Sequence, residues 1–178
     1  VPLPALTPGP DERARFTAIY REHFEFVWRS LRRLGAPEHA LEDATQDVFL
    51  VAARRIDEFE GRSSIRTWLF GIAMRVVRAQ RRTAWRHQRR VDALAAAPTD
   101  AARDPIAQRD AQRLLLELLE HLDDDKRAVY VLAELEGLTA VEIAEGLGTN
   151  VNTIYTRLRV ARQQLRDAAA KLLEGATP

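Results

Sequence analysis

Apolar residues recur along this chain at three- and four-residue steps, the period of an amphipathic helix, in one segment after another. Phe16, Ile19, Tyr20, Phe24, Val27 and Leu31 predict a helix over 11–34 that Gly35 ends. Pro37 and Glu38 open a second, with the proline in the first turn where its missing N–H costs nothing. Its inward stripe is Leu41, Ala44, Val48, Val51, Ala52 and Ile56. A third helix starts near Ile65 with Ile65, Leu69, Ile72 and Val76 on its apolar face, and Ser63 or Ser64 is placed to cap it. After a break, Leu114, Leu115, Leu118, Leu119 and Leu122 form a strong face. Asp123, Asp124 and Asp125 interrupt it and cap the next helix, in which Ala128, Val129, Leu132 and Leu135 point inward. Thr139 with Glu142 is a capping box for a short helix whose inner face is Ile143, Ala144 and Leu147. A last helix turns Ile154, Leu158, Ala161 and Leu165 to the core. The pattern contains no strand alternation and no internal repeat, so the fold class is all-α.

Two small helical domains are expected, because the composition changes between them. Residues 91–105 hold few large apolar side chains, two prolines and several alanines and aspartates, the makeup of a flexible linker. The division expected is a disordered, proline-broken tail over 1–10, a helical bundle over 11–90, a linker over 91–108 and a second helical domain over 109–174. At 178 residues and 46% hydrophobic content, the chain can bury a core. No stretch approaches the roughly 20 apolar residues of a membrane span, and the N-terminus lacks the basic region of a signal peptide. With no cysteine, disulfides and thiolate metal sites are excluded within the chain.

Charge changes this picture locally. The net charge is only +1, yet Gly61 to Arg90 holds nine arginines and no acid, with Trp68 and Trp85 among them. Arginine interleaved with aromatics suits a surface that holds phosphates and stacks bases. Arg75, Arg78 and Arg82 recur at helical steps and form a row on one side of the third helix. The polar loop Glu60–Ser64 and the first-turn residues Thr67 and Trp68 lie beside that row, where an unstacked base could be held. A solvated basic helix anchored by its tryptophans is the plainer account, but a solvated helix normally mixes signs.

A second acid-free segment runs from Gly146 to Arg166. Small Ala144 lets two helices cross closely, Gly148 permits a left-handed turn, and the next helix presents Asn152, Thr153, Tyr155, Thr156, Arg157 and Arg159 outward. This is the form of a helix-turn-helix, whose second helix reads base edges in the major groove. The second helix of the chain also shows an acidic outer face, Glu42, Asp43, Gln46 and Asp47, with Phe49 beside them. On charge alone that face reads as solvated helix surface with carboxylates favoured near a helix N-terminus. His23, His39, His87 and His121 are scattered and form no ligand pair, so neither an enzyme nor a metal cofactor is expected.

Both halves resemble one family. LEDATQDVFLVAARRIDEFEGRSSIRTWLFGIAMRVVRAQRR resembles sigma region 2, and LLLELLEHLDDDKRAVYVLAELEGLTAVEIAEGLGTNVNTIYTRLRVARQQLR resembles sigma region 4. Their order and the chain length are similar to an extracytoplasmic-function sigma factor of the sigma-70 family. The resemblance implies an alternative sigma factor that binds core RNA polymerase and directs promoter recognition and melting. It gives the acidic face a role: Asp43, Gln46, Asp47 and Phe49 would dock on the β′ clamp helices, while the C-terminal domain would meet the β flap. Arg62, Ser63, Ser64, Arg66, Thr67 and Trp68 would capture a flipped base of the −10 element, and Arg75, Arg78 and Arg82 would follow the non-template strand. Asn150, Asn152, Thr153, Tyr155, Thr156, Arg157, Arg159 and Arg162 would contact the −35 element. The resemblance further implies a cytoplasmic protein with an anti-sigma partner, no small-molecule substrate and no membrane insertion. The chain departs from the family pattern at Arg75, often asparagine, at Ala79, often aspartate, and at Asp123, often proline. The alternative is a stand-alone helix-turn-helix regulator, which would leave the acidic face and the arginine stretch unexplained.

Overall fold

The structure, a computed structural model, describes the backbone of residues 10–61, 63–91 and 106–175, and the side chains of 14, 16–61, 63–82 and 111–172. Residues 1–9 of the expected tail, 92–105 of the expected linker, and Arg62 lie outside the described residues; Pro10 opens the first helix, and 106–108, expected as linker, open the fourth. Seven α-helices carry the described fold: α1 (Pro10–Arg33), α2 (Leu41–Arg55), α3 (Ile65–Val91), α4 (Ile106–Glu120), α5 (Asp124–Tyr130), α6 (Ala140–Leu147) and α7 (Val151–Gly175). Single 3-10 turns precede and follow α2, and a π-helical turn over Val131–Leu135 continues α5. No strand occurs among the described residues.

The predicted stripes become the core where they were drawn, with shifts at their edges. Val27, Leu31, Leu41, Ala44, Val48, Ala52, Leu69 and Ile72 are buried, as are all four α7 positions, Ile154, Leu158, Ala161 and Leu165. In α3 the apolar face is wider than expected, because Phe70, Ala73 and Val77 are buried as well. Two expected core residues point out. Tyr20 is 40% exposed at the rim of α1, and Leu114 is 46% exposed on α4, one turn before its buried stretch. Phe49 is a correction in the opposite sense: it is only 3% exposed. Its ring lies in the α1–α2 seam, 4.6 Å from the Tyr20 ring and stacked with Phe24 at 6.5 Å, so it supports the acidic face from beneath.

The caps read from the sequence form. Ser64 Oγ accepts from the Thr67 N–H at 3.1 Å. Asp123 accepts from the Lys126 N–H at 2.9 Å and so caps the start of α5. Thr139 and Glu142 make both bonds of the capping box, and the Thr139 N–H bond to the carboxylate is the main reason the Glu142 pKa is held below its ordinary value.

One continuous core joins the two halves: α3 packs on α6 and α5, and α1 on α4. The end of α1 sets this junction. Gly35 takes φ +87°, which turns the chain sharply and leaves the Leu34 carbonyl free to accept. Two guanidinium groups reach that oxygen, Arg81 from α3 at 3.1 Å and Arg127 from α5 at 3.2 Å. Arg127 is 3% exposed and donates a further bond to the Leu119 carbonyl at 2.7 Å, so its charge rests on the carbonyl ends of α1 and α4. Burial, then the charge of Arg81, pull its pKa down.

A Cβ at position 35 would overlap Arg127 Nη1 and Arg81 Nη2, whereas a Cβ at Gly137, also left-handed at φ +71°, meets nothing within 4 Å. Gly137→Ala should therefore cost about 1–2 kcal/mol, the backbone term alone. Gly35→Ala should cost more by at least ~1 kcal/mol, because a buried guanidinium also loses a partner. Urea unfolding of both variants checks the difference, and equal costs would contradict it.

Candidate nucleic-acid interface

The C-terminal motif is built from its caps upward. α6 starts at the Thr139–Glu142 box and stops at Gly148, which takes the left-handed conformation at φ +62°. The Thr149 N–H then returns to the Ala144 carbonyl at 2.9 Å, closing the turn. Asn150 begins α7 by accepting the Asn152 N–H on Oδ1 at 2.8 Å. With Ile154, Leu158 and Ala161 buried, the other side of α7 must face out. Asn150, Asn152, Tyr155, Thr156, Arg159 and Arg162 are exposed, Tyr155 by 59%; Thr153 and Arg157 are half-buried. Thr156 donates back to the Asn152 carbonyl at 2.9 Å, and Arg162 pairs with Glu134 of its own half, with Nε at 2.9 Å. The face therefore offers amides, hydroxyls and guanidinium groups on one rigid rod, the inventory that reads base edges and phosphates.

The N-terminal surface is less open. Arg75 and Arg82 are exposed on α3. Ser64 is exposed and committed to its cap, and its Oγ lies 2.8 Å from Thr67 Oγ1. The indole of Trp68 is half-buried and packs on Phe59 with ring centroids 5.3 Å apart. Thr67 is fully buried, and Ser63 is half-buried. Both meet α6: a Cβ at Gly146 would overlap Thr67 Cγ2, lie 2.9 Å from Thr67 Cβ and 3.8 Å from Ser63 Cβ. The start of α3 is thus covered by the first helix of the helix-turn-helix.

Carboxylates of the C-terminal half hold the arginines of this surface. Glu136, whose side chain is 4% exposed, bonds both Arg33 of α1 and Arg66 of α3. The Arg66 guanidinium also lies 4.6 Å over the Phe26 ring. Asp124 bonds Arg81. Asp125 bonds Arg78 of α3 and, at 2.5 Å, Arg157 of α7. Arg78, Arg81, Asp124, Asp125 and Arg157 line a cleft of about 890 Å³ between the halves. Sequence patterning did not single out Arg33, Arg81, Arg127, Glu136 or Gly146 for this junction. Only Gly146 carried a usable signal, because a glycine inside an eight-residue helix costs about 1 kcal/mol against alanine and so marks a close approach.

On the acidic face, Glu42, Asp43, Gln46 and Asp47 are exposed together along α2, and Phe49 lies under them. Leu50, 54% exposed, adds an apolar position to the same side.

Comparison with known proteins places these surfaces in context. The sequence pattern of Sigma-70 region 2 matches residues 19–87, and that of Sigma-70, region 4 matches 112–165. The chain is 30% identical over 162 residues to the ECF RNA polymerase sigma factor SigE of Mycolicibacterium smegmatis, covering 86% of this chain and 61% of that one. It is 30% identical over 161 residues to the ECF RNA polymerase sigma factor SigK of Mycobacterium bovis, covering 88% of this chain and 86% of that one. Among solved structures, CnrH in complex with the cytosolic domain of CnrY superposes with a TM-score of 0.66 at 25% identity, covering 93% of this chain and 91% of that one.

Thr139→Ala removes one bond of the box that positions α6 and should lower stability by about 1 kcal/mol. Thermal unfolding by circular dichroism checks it, and an unchanged midpoint would mean that the Glu142 carboxylate suffices alone.

Proposed function

This chain belongs to the sigma-70 family of RNA polymerase sigma factors, in its extracytoplasmic-function group, and we propose how its surfaces divide the work of that family. One observation carries the reading: two distinct polar surfaces, an arginine-bearing α3 and an exposed α7 face, occur in one chain together with an acidic α2 face that needs a third partner. A stand-alone DNA reader has no use for that third surface.

The C-terminal helix-turn-helix takes the −35 element. α7 enters the major groove, where Asn152, Thr156 and Arg159 meet base edges and Asn150, Tyr155 and Arg162 contact phosphates near them, with Thr153 and Arg157 at the margin. The N-terminal domain takes the −10 element. Ser63, Ser64, Arg66, Thr67 and Trp68, with Arg62 beyond the described residues, hold an unstacked base while Arg75, Arg78 and Arg82 follow the displaced strand. Unstacking costs a few kcal/mol per base, and stacking with pocket contacts returns about 1–3 kcal/mol per base. The work is binding energy spent on strand separation, with no covalent step.

Asp43, Gln46 and Asp47 dock the factor on the clamp of the β′ subunit, with Phe49 fixing the helix from beneath, and the C-terminal half meets the β flap. A protein of the anti-sigma kind is the second partner. CnrH, at 25% identity, is held by the cytosolic domain of CnrY, which supports a protein partner here too. The site of action is the cytoplasm, where the polymerase is; no described helix is long and apolar enough to cross a membrane.

Run-off transcription from a pool of genomic fragments with core polymerase tests the reading. The chain should create new starts that share two upstream motifs, and Asp47→Arg should abolish them while leaving unfolding unchanged. Arg159→Ala should reduce use of those starts by roughly tenfold, the scale of one good base contact. Shifting of duplex DNA without any polymerase-dependent start would favour the stand-alone regulator instead.

A further inference from the structure

Resting on the docking role given to α2 above, we propose that the acidic face ends in a socket, and that the socket takes one arginine side chain of the protein docked there. The left-handed turn at Gly35 and the extended backbone of Pro37 (φ −68°, ψ 147°) carry the chain from α1 into the 3-10 turn before α2. A cleft of about 680 Å³ lies between that connection and α3. Its apolar lining is short: Ala36, Pro37 and Ala40 from the connection, Val77 and Ala79 from α3. Two side-chain acceptors line it as well. The Asp43 carboxylate is exposed and has no ion pair among the described residues. Gln80 Oε1 is buried and has no hydrogen-bond partner among them.

This lining selects the occupant. A buried amide oxygen left unpaired costs free energy until a donor meets it, and the terminal torsion of a glutamine is soft enough to turn the oxygen toward one. An apolar occupant would leave it unpaired, and an acidic one would meet Asp43. Arginine answers both requirements, with an aliphatic stem for the alanines, Pro37 and Val77 and a planar fork of donors for the two acceptors. Arg81 and His39 also line the cleft. Arg81 is already held by Asp124 and by the Leu34 carbonyl at 3.1 Å, and no bond joins His39 to either acceptor. Continuity fixes the partner. Asp43, Gln46 and Asp47 fall three and four positions apart on one side of α2, and Asp43 belongs both to that stripe and to the cleft. A basic surface laid along the stripe reaches the cleft without a gap, and an arginine seated in a desolvated pocket is a common anchor of such interfaces.

Binding of core RNA polymerase to the full chain, without DNA, tests the socket. The chain has no cysteine, so a dye on exposed Ala170→Cys reports binding by anisotropy. Ala79→Leu fills the cleft from an exposed helix position without changing charge. It should weaken binding by roughly tenfold, the loss expected of an arginine anchor. Gln80→Leu keeps the size of the side chain, removes the acceptor and should weaken binding about fivefold, the scale of one hydrogen bond. Urea unfolding of both variants should match that of the parent chain. Parent-like binding by Ala79→Leu would overturn the proposal, and tighter binding by Gln80→Leu would overturn it in favour of an apolar occupant. A photo-crosslinking amino acid at position 79, and separately at 47, then locates the occupant. Both should attach to the same polymerase subunit, with the site reached from 79 beside an arginine; attachment of 79 to another subunit would also overturn the proposal. Asp47→Arg keeps the two readings apart. Loss of binding there but not in Ala79→Leu removes the socket alone, whereas full binding by Asp47→Arg removes the docking role of α2 and the socket with it.

Discussion

A buried carboxylate needs partners, and Glu136 has two guanidinium groups that come from the other half of the molecule. Taking such a charge out of water costs several kcal/mol unless the geometry returns it. Neither Arg33 nor Arg66 lies in the same helical unit as Glu136, so the acid is tolerable only if α1 and α3 are packed against the C-terminal helices. The rest of the junction follows from this requirement. Arg127 can sit buried because the turn at Gly35 leaves the Leu34 carbonyl open to it, and Arg81 can share that oxygen because α3 lies alongside. Gly146 removes the one side chain that would hold α6 off Thr67.

Three arginines of this junction, Arg66, Arg78 and Arg157, are also among those we propose to contact nucleic acid. A guanidinium binds carboxylate and phosphate through the same planar fork of donors. A surface made to grip nucleic acid will therefore find any acid that its own chain brings near. In this protein those acids are concentrated over 123–125 and at 136, between two segments that contain none. In space Asp124 and Glu136 meet arginines of the N-terminal half, and Asp125 lies between Arg78 of one acid-free segment and Arg157 of the other. The acidic α2 face lies apart from that layer and keeps its charges exposed.

Much of the local design was legible because it depends on neighbours in sequence. The capping box at Thr139 and Glu142, the left-handed turn at Gly148 and the buried positions of α7 each involve residues within a few places of one another. Helical spacing alone orients them. The misplacements have a common cause. Tyr20, Leu114 and Phe49 sit at the border of an apolar stripe, where about 100° of helix turn separates inside from outside, and which side is covered depends on the helix packed there. Phe49 is drawn in because three rings of α1 surround it, and Leu114 is left out because α4 approaches its neighbours with the next turn.

The sequence by itself determined the helices, the caps, the two acid-free surfaces and the resemblance to sigma regions 2 and 4, since each is written in periodicity, turn chemistry or motif order over short stretches. Only the tertiary structure decided that those surfaces meet each other. The partners of Glu136 lie 70 and 103 residues away, and those of Asp125 lie 47 and 32 away. No local rule links such positions, because attraction between charges carries no sequence address. It is fixed only when packing of the apolar faces brings one arginine, among many, within reach of one acid.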